Sequence, residues 1–119
     1  MFLGLRTVIY HVPDLAKAKA WYTGAFGVTP YFDQPFYVGF EVGGYELGLH
    51  PDMTGVTPGN NIVTYWGVED VDKAYAHMLG HGAEAREPIT DVGEGIKVGS
   101  VADPFGNVIG LIYNPHFSL

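Results

Sequence analysis

Apolar residues recur along two stretches of the chain at the spacing of an amphipathic helix. In the second stretch they occupy positions i, i+3, i+4, i+7 and i+8 and form one stripe: Val71, Ala74, Tyr75, Met78 and Leu79. A similar face in the first stretch consists of Leu15, Ala18, Trp21, Tyr22, Ala25 and Phe26. An aspartate precedes each stripe, at Asp14 and at Asp70, and a glycine follows each, at Gly27 and at Gly82. This pattern predicts two helices with aspartate N-caps and glycine stops.

Short runs of β-branched and aromatic residues follow each predicted helix. Four of these runs are predicted as strands: 37–42, 45–50, 96–102 and 108–113. Gly43-Gly44 joins the first two and is typical of a hairpin turn. Asp103-Pro104-Phe105-Gly106-Asn107 joins the last two and carries the residue types that tight turns require.

The two halves of the chain repeat one another. Residues 7–18 and 63–74 align at a constant offset: each is an apolar strand ending in Val, then one residue, Asp, an aliphatic residue, and Lys-Ala two positions further on. The repeat predicts a single α+β domain with two βαβββ modules in tandem. Module one covers 1–51, a linker rich in Thr, Pro, Gly and Asn covers 52–60, and module two covers 61–119. A helix covers one face of such a sheet, so the other face must bury itself or enclose a ligand.

Composition excludes several classes of function. The 119 residues include no Cys, which excludes disulfides, thiolate zinc sites and a Cys nucleophile. Six basic and thirteen acidic residues give a net charge of −7, without the basic stripe that nucleic-acid binding requires. No apolar run approaches the roughly 20 residues of a membrane span. The N-terminus has no basic leader and is predicted as a strand, so we expect a cytoplasmic protein.

Two motifs in register with the repeat resemble those of the vicinal oxygen chelate superfamily. V-x-D-x-x-K-A follows the first strand of each module, beginning at Val12 and Val68, and D-P-x-G-N-x-I begins at Asp103. The superfamily includes glyoxalase I, extradiol dioxygenases, fosfomycin-resistance proteins and bleomycin-resistance proteins. The resemblance spans essentially the whole chain. It implies a curved, cup-shaped mixed sheet with the helices on the outer face, and a homodimer.

The same resemblance implies where a divalent metal would bind in this chain. The implied ligand positions are Thr7, Val63, Gly48 and Gly110, none of which offers an imidazole or a carboxylate. We therefore expect no metal and no other cofactor. A strand register shifted by two residues would place Glu46 in a ligand position. The two glycines either leave room for a ligand in the cup or are simply positions where a metal ligand has been lost.

Other candidate residues follow from strand alternation. His11, Glu46 and His50 lie at the ends of two strands that are neighbours in this fold, and together they are candidates for acid–base catalysis or for exposed residues at the rim of the sheet. The expected ligand pocket consists of Thr7, Ile9, Glu46, Gly48, His50, Val63, Tyr65 and Gly110. His77 and His81 stand four residues apart on the second helix, but the apolar stripe places His77 on the solvated side and no third ligand is apparent.

These observations predict a metal-free small-molecule binding protein of the glyoxalase/bleomycin-resistance type. Its cup would sequester an aromatic or cationic ligand, because aromatic residues are concentrated in the middle of the chain. The alternative is a glyoxalase-like lyase or isomerase, or a dioxygenase, with a non-standard metal or acid–base site. Whether the chain is an enzyme stays open at this stage.

Overall fold

The computed structural model describes residues 1–118, which form two compact units, Met1–Thr57 and a second unit that begins at Pro58. Unit one contains β1 (Thr7–His11), α1 (Leu15–Phe26), β2 (Phe32–Gln34), β3 (Tyr37–Val42) and β4 (Tyr45–His50). Unit two contains β5 (Thr64–Gly67), α2 (Val71–Gly80), β6 (Glu84–Gly93), β7 (Ile96–Ala102) and β8 (Val108–Tyr113). The prediction of an α+β fold with two βαβββ modules is confirmed.

Both helices begin at the predicted aspartates. The Asp14 carboxylate accepts a hydrogen bond from Lys17 N at 3.1 Å, and the Asp70 carboxylate accepts one from Lys73 N at 3.0 Å. Gly27 ends α1 in the left-handed conformation, with φ 67°, which glycine adopts without steric cost. Neither helix in residues 1–118 is long and apolar enough to cross a membrane.

Each unit builds one four-stranded mixed sheet. The strand order is β1-β4-β3-β2 in unit one and β5-β8-β7-β6 in unit two. In both sheets the first strand pairs parallel with the last, and the remaining pairs are antiparallel. The two sheets also share their register, because Ile9 faces Gly48 in unit one and Tyr65 faces Gly110 in unit two. The sequence repeat is therefore a repeat of strand pairing.

The core of each unit lies between its helix and one face of its sheet. In unit one Tyr22 of α1 is fully buried and stacks on Tyr10 of β1 with ring centroids 5.8 Å apart. Leu47 and Leu49 of β4 are also fully buried. Alternation then places Glu46, Gly48 and their cross-strand partners on the other side of the sheet, which we call the far face of unit one. This far face carries the candidate site.

The positions of two strands, β2 and β6, are not predicted by the sequence patterns. β2 has three residues, all exposed, so no alternation of apolar and polar positions marks it. β6 has ten residues, contains Pro88 and pairs with β7 through several register shifts, which disrupt any period of two. Both are edge strands, where irregular and polar sequence is common.

Candidate functional site

Three hydroxyl groups converge on the carboxylate of Glu46, on the far face of unit one. Thr7 Oγ1 donates to Glu46 Oε1 at 2.7 Å, from the position directly opposite on β1. Tyr37 OH donates to the same oxygen at 2.9 Å, and Tyr31 OH donates to Oε2. The carboxylate is thereby held by neutral donors from three segments of the chain.

Two paired glycines make this arrangement possible. Gly39 on β3 lies directly opposite Gly48 on β4, and both are buried. The Tyr31 ring covers Gly39, where an added Cβ would lie 3.2 Å from Tyr31 Cε1. The Tyr37 ring covers Gly48, where an added Cβ would lie 2.5 Å from Tyr37 Cζ. Because the two glycines have no side chains, both tyrosine rings can pack against the strand backbone and reach Glu46.

A tyrosine ring also covers the matching glycine of unit two, but it comes from the first strand of that unit and not from the third. Tyr65 lies over Gly110, where an added Cβ would be 2.6 Å from Tyr65 Cδ1. The sequence left open whether Gly48 and Gly110 give room to a ligand. In each unit the protein's own tyrosine ring lies over that glycine.

The hydroxyl groups also set the charge of the site. The Tyr31 hydrogen bond, followed by that from Thr7, lowers the pKa of Glu46 below its usual 4.5, because both stabilise the carboxylate. The same hydrogen bond raises the pKa of Tyr31, and burial followed by contact with Glu46 raises the pKa of Tyr37. Glu46 is thus an anion at neutral pH and a weak base.

A histidine pair occupies the other end of the same strands. His11 and His50 face each other across β1 and β4, and their rings stack with centroids 5.2 Å apart. His11 Nδ1 lies 2.9 Å from Asp52 O, and His50 Nδ1 accepts from Asp52 N at 3.1 Å. The pKa of Asp52 is lowered by hydrogen bonds from Thr54 and, more weakly, by the two histidines.

The structure separates two groups that the sequence placed in one cluster. Glu46 and His50 lie four residues apart on β4, which corresponds to roughly 13 Å along the strand. Gly48 and the Tyr37 ring lie between them, with Tyr37 OH on Glu46 and its ring against His50 at 6.2 Å. The structure therefore does not bring Glu46 into direct contact with His11 or His50.

The residues present do not fit the metal that the resemblance implies. Thr7 already donates its hydroxyl to Glu46, and both oxygens of Glu46 accept hydrogen bonds. Gly48 and Gly110 lie beneath tyrosine rings. Residues 1–118 contain no group of three or more His, Asp or Glu side chains placed to hold a metal ion. The side chains at these positions thus give a hydrogen-bonded anion in place of a set of metal ligands.

The remaining candidates are distributed over both units. Ile9 is 44% exposed on the far face of unit one. Val63 precedes β5, and Tyr65 lies on the side of its sheet away from Trp66. His77 and His81 are exposed on α2, where His81 Nδ1 lies 3.0 Å from the His77 carbonyl.

Sequence reasoning missed Tyr31 and Tyr37 as the partners of Glu46. A signal was present in the hairpin, since a two-residue turn at Gly43-Gly44 pairs Gly39 with Gly48. Two glycines facing each other inside a sheet indicate that something large lies above them. Aromatic residues stand close by in the sequence, and two of them fill that space.

Exposed aromatic rings adjoin the Glu46 carboxylate. Tyr31 is 62% exposed, Phe36 is 63% exposed and Phe32 is 39% exposed. The ring centroids of Phe32 and Phe36 are 6.0 Å apart, and those of Phe32 and Tyr37 are 6.2 Å apart. We call Tyr31, Phe32, Phe36 and Tyr37 the aromatic group. The site thus joins one anion to a solvent-facing aromatic surface.

Comparison with known proteins supports the fold. The sequence model of one family, described as Glyoxalase/Bleomycin resistance protein/Dioxygenase superfamily, matches residues 4–111. The chain belongs to the glyoxalase/bleomycin resistance/dioxygenase superfamily. No curated protein sequence matches this superfamily member.

Solved structures with the superfamily fold cover nearly the whole chain at low sequence identity. A glyoxalase-related enzyme from Fulvimarina pelagi has a TM-score of 0.79 at 19% identity, covering 99% of this chain and 93% of its own. Lactoylglutathione lyase from Agrobacterium tumefaciens has a TM-score of 0.78 at 18% identity, covering 99% and 100%. The fosfomycin resistance protein FosX from Listeria monocytogenes has a TM-score of 0.79 at 17% identity, covering 98% and 97%. These likenesses establish a shared fold.

Proposed function

We propose that this superfamily member is a metal-free small-molecule binding protein that holds an aromatic or cationic ligand on the far face of unit one. The observation that carries the proposal is the position of Glu46, a hydrogen-bonded anion beside the exposed rings of the aromatic group. Aromatic faces supply apolar contact area, and one fixed charge supplies orientation, which is the usual composition of a small-molecule site.

The absence of metal from the proposed mechanism rests on donor chemistry. A divalent cation needs several imidazole or carboxylate ligands, whereas the implied positions hold Thr7, Val63, Gly48 and Gly110. Glu46 accepts a hydrogen bond from Thr7 and lies two residues before Gly48 on β4, and its hydrogen bonds hold it in place as a counter-charge. Binding needs no proton transfer, which suits the weak basicity of Glu46.

Titration of the whole protein against a ligand panel tests the proposal. The panel should contain aromatic cations, neutral aromatics and aromatic anions, with binding followed by calorimetry and by amide chemical shifts. We expect aromatic cations to bind and to shift the amides of Gly39 and Gly48. A panel in which no compound binds would refute the proposed function.

A matched pair of variants separates the role of Glu46 from a general effect of surface charge. Glu41 lies directly opposite Glu46, but its carboxylate accepts from Gly44 N at 2.9 Å, at the hairpin turn. Glu46→Gln and Glu41→Gln remove the same charge from the same face. We expect Glu46→Gln to weaken the binding of cations and Glu41→Gln to change it little.

The stacked histidine pair supports a second candidate, a lyase, isomerase or dioxygenase with a non-standard site. His50 Nδ1 accepts a backbone hydrogen bond, so the neutral ring carries its proton on the other nitrogen and could exchange it with a substrate. Elemental analysis of chelator-free protein, followed by a hemithioacetal isomerase assay, tests this alternative. Stoichiometric nickel, zinc or iron with activity would overturn the metal-free proposal. A homodimer and a cytoplasmic location stay predictions.

A further inference from the structure

The hydrogen-bonding capacity of Glu46 restricts which cations the far face of unit one can hold. A carboxylate has about four acceptor positions. Two at Oε1 are taken by Thr7 and Tyr37, and one at Oε2 is taken by Tyr31. About one acceptor position on Glu46 therefore remains for a ligand.

The hydroxyl groups around Glu46 all donate their hydrogens to its carboxylate. Thr7, Tyr31 and Tyr37 are neutral donors, so their hydrogen bonds stabilise the carboxylate without cancelling its negative charge. The ion pairs of Lys19 with Asp33 and of Arg86 with Glu87 do not involve Glu46. The site keeps a full negative charge but offers few acceptors.

Glu41 does not supply the missing acceptors. It lies opposite Glu46 on β3, but its hydrogen bond to Gly44 N directs it toward the hairpin turn. Glu46 is directed the other way, toward the tyrosines above Gly39 and Gly48. Glu41 therefore adds negative potential to the face without joining the aromatic group.

The aromatic group supplies the second form of attraction. Aromatic faces attract cations through their quadrupole, most strongly when the cation is poorly hydrated. Tyr31 and Phe36 are more than three-fifths exposed, so their rings are available to a ligand. A cation with many N–H groups would lose water there and regain about one hydrogen bond, whereas a methylated cation has little hydration to lose.

We propose that the ligand cation is an ammonium with few or no N–H groups, a tertiary or quaternary ammonium joined to an aromatic substituent. This inference rests on the proposed function, because it names the class of molecule held at the same site. Glu46 supplies the charge, and Tyr31 with the rest of the aromatic group supplies the surface that receives the alkyl groups.

A methylation series tests the inference. Benzylammonium, its N-methyl, N,N-dimethyl and N,N,N-trimethyl derivatives, and neutral benzyl alcohol are titrated into the whole protein, with dissociation constants obtained from amide shifts. We expect affinity to rise along the series, with the trimethyl compound binding roughly five- to tenfold more tightly than benzylammonium. Equal or tighter binding of benzylammonium overturns the inference.

Two variants separate acceptor capacity from aromatic contact. Tyr31→Phe keeps the ring and vacates one acceptor position on Oε2, so benzylammonium should gain affinity and the preference for the trimethyl compound should shrink. An unchanged preference would contradict the argument from acceptor capacity. Tyr31→Leu removes the ring and should weaken the trimethyl compound most. Tyr31 is largely exposed, so both variants should fold, which circular dichroism checks.

The outcomes distinguish this inference from the proposed function. If benzyl alcohol binds on the far face and the cations do not, the binding proposal survives and the ammonium inference fails. If benzylammonium is preferred, the site is still a cation site but of the opposite class. If none of the five compounds binds, the inference fails, and the wider panel decides the proposed function.

Discussion

The ring of Tyr37 lies over Gly48 so closely that a β-carbon at this glycine would be 2.5 Å from Tyr37 Cζ. The ring is held there by its hydroxyl, which donates to Glu46, and by its contacts with Phe32 and His50. Gly48, which resembles a metal-ligand position of the superfamily, thus lies directly beneath the Tyr37 ring. Glycine at 48 is a requirement of the site geometry.

Gly48→Ala should displace the Tyr37 ring and break its hydrogen bond to Glu46. We expect a loss of about 1–3 kcal/mol in the free energy of unfolding, as for other overpacked positions, measured by urea denaturation. Gly67→Ala is the matched control, because a Cβ there meets nothing within 4 Å. It should change stability by less than about 0.5 kcal/mol. Equal effects of the two changes would show that Tyr37 does not confine Gly48.

Tyr31→Phe and Tyr37→Phe should each raise the pKa of Glu46. Each removes a hydroxyl that donates to the carboxylate and stabilises its charged form. NMR titration of the Glu46 side-chain carbonyl carbon measures the effect. Tyr45→Phe is the control, since Tyr45 lies on the opposite face of β4 and should leave that pKa unchanged. A shift of equal size in the control would mean that the hydroxyls are not the cause.

The ionisable groups of the site should stabilise the fold near neutral pH and lose that contribution at both ends of the pH range. The pKa of Glu46 is lowered by folding, so its contribution is present above its ordinary pKa of 4.5 and is lost as pH falls through the folded value. The pKa values of Tyr31 and Tyr37 are raised, so their contribution is present below 10.0 and is lost at higher pH.

Ultraviolet absorbance of tyrosinate tests the alkaline half of this prediction. Tyr31 and Tyr37 should both ionise above the ordinary tyrosine pKa of 10.0. Glu46→Gln should return Tyr31 toward its ordinary pKa, because the hydrogen bond to Glu46 is the main cause of its shift. Tyr37 should keep part of its shift, because burial is the first cause there. Identical behaviour of the two tyrosines in this variant would contradict the assignment.

Asp103→Ala should be among the most destabilising changes on the surface turns. Asp103 is 4% exposed, and its Oδ1 accepts from Phe105 N at 2.9 Å and Asn107 N at 2.7 Å, while Oδ2 accepts from Asn107 Nδ2. Loss of these bonds should cost about 3 kcal/mol. Asp14→Ala, which removes an exposed N-cap, should cost about 1 kcal/mol. Chemical denaturation compares them, and a smaller loss at Asp103 would be the unexpected result.

Sequence patterns predicted most of the fold because its signals are local. An aspartate before an apolar stripe marks the start of each helix, and Gly43-Gly44 defines the hairpin of β3 and β4. The predicted strands 37–42 and 45–50 agree with the structure. The βαβββ modules require β2 and β6, but the positions of these strands were not predicted, since neither alternates between buried and exposed positions.

The site was only partly predictable, because it depends on which side chains reach across a sheet. Alternation placed Thr7, Glu46 and Gly48 on one face, and the strand pairing agrees. It did not show that Tyr31, which precedes an unpredicted strand, would extend over Gly39 to Glu46. Side-chain reach and ring packing are set by tertiary contacts, for which one sequence carries no periodic signal.

The three-residue strand β2 gives this site a built-in reporter. Tyr31 and Tyr37 stand on either side of it, and it is attached to the sheet through three residue pairs with β3 alone. Such an edge is where native proteins open most easily, and amide exchange measures that opening. A ligand that contacts both tyrosines would hold the edge closed, so slower exchange between residues 32 and 34 would register occupancy. Ligand binding at the two tyrosines and local opening of β2 would then be coupled in one equilibrium.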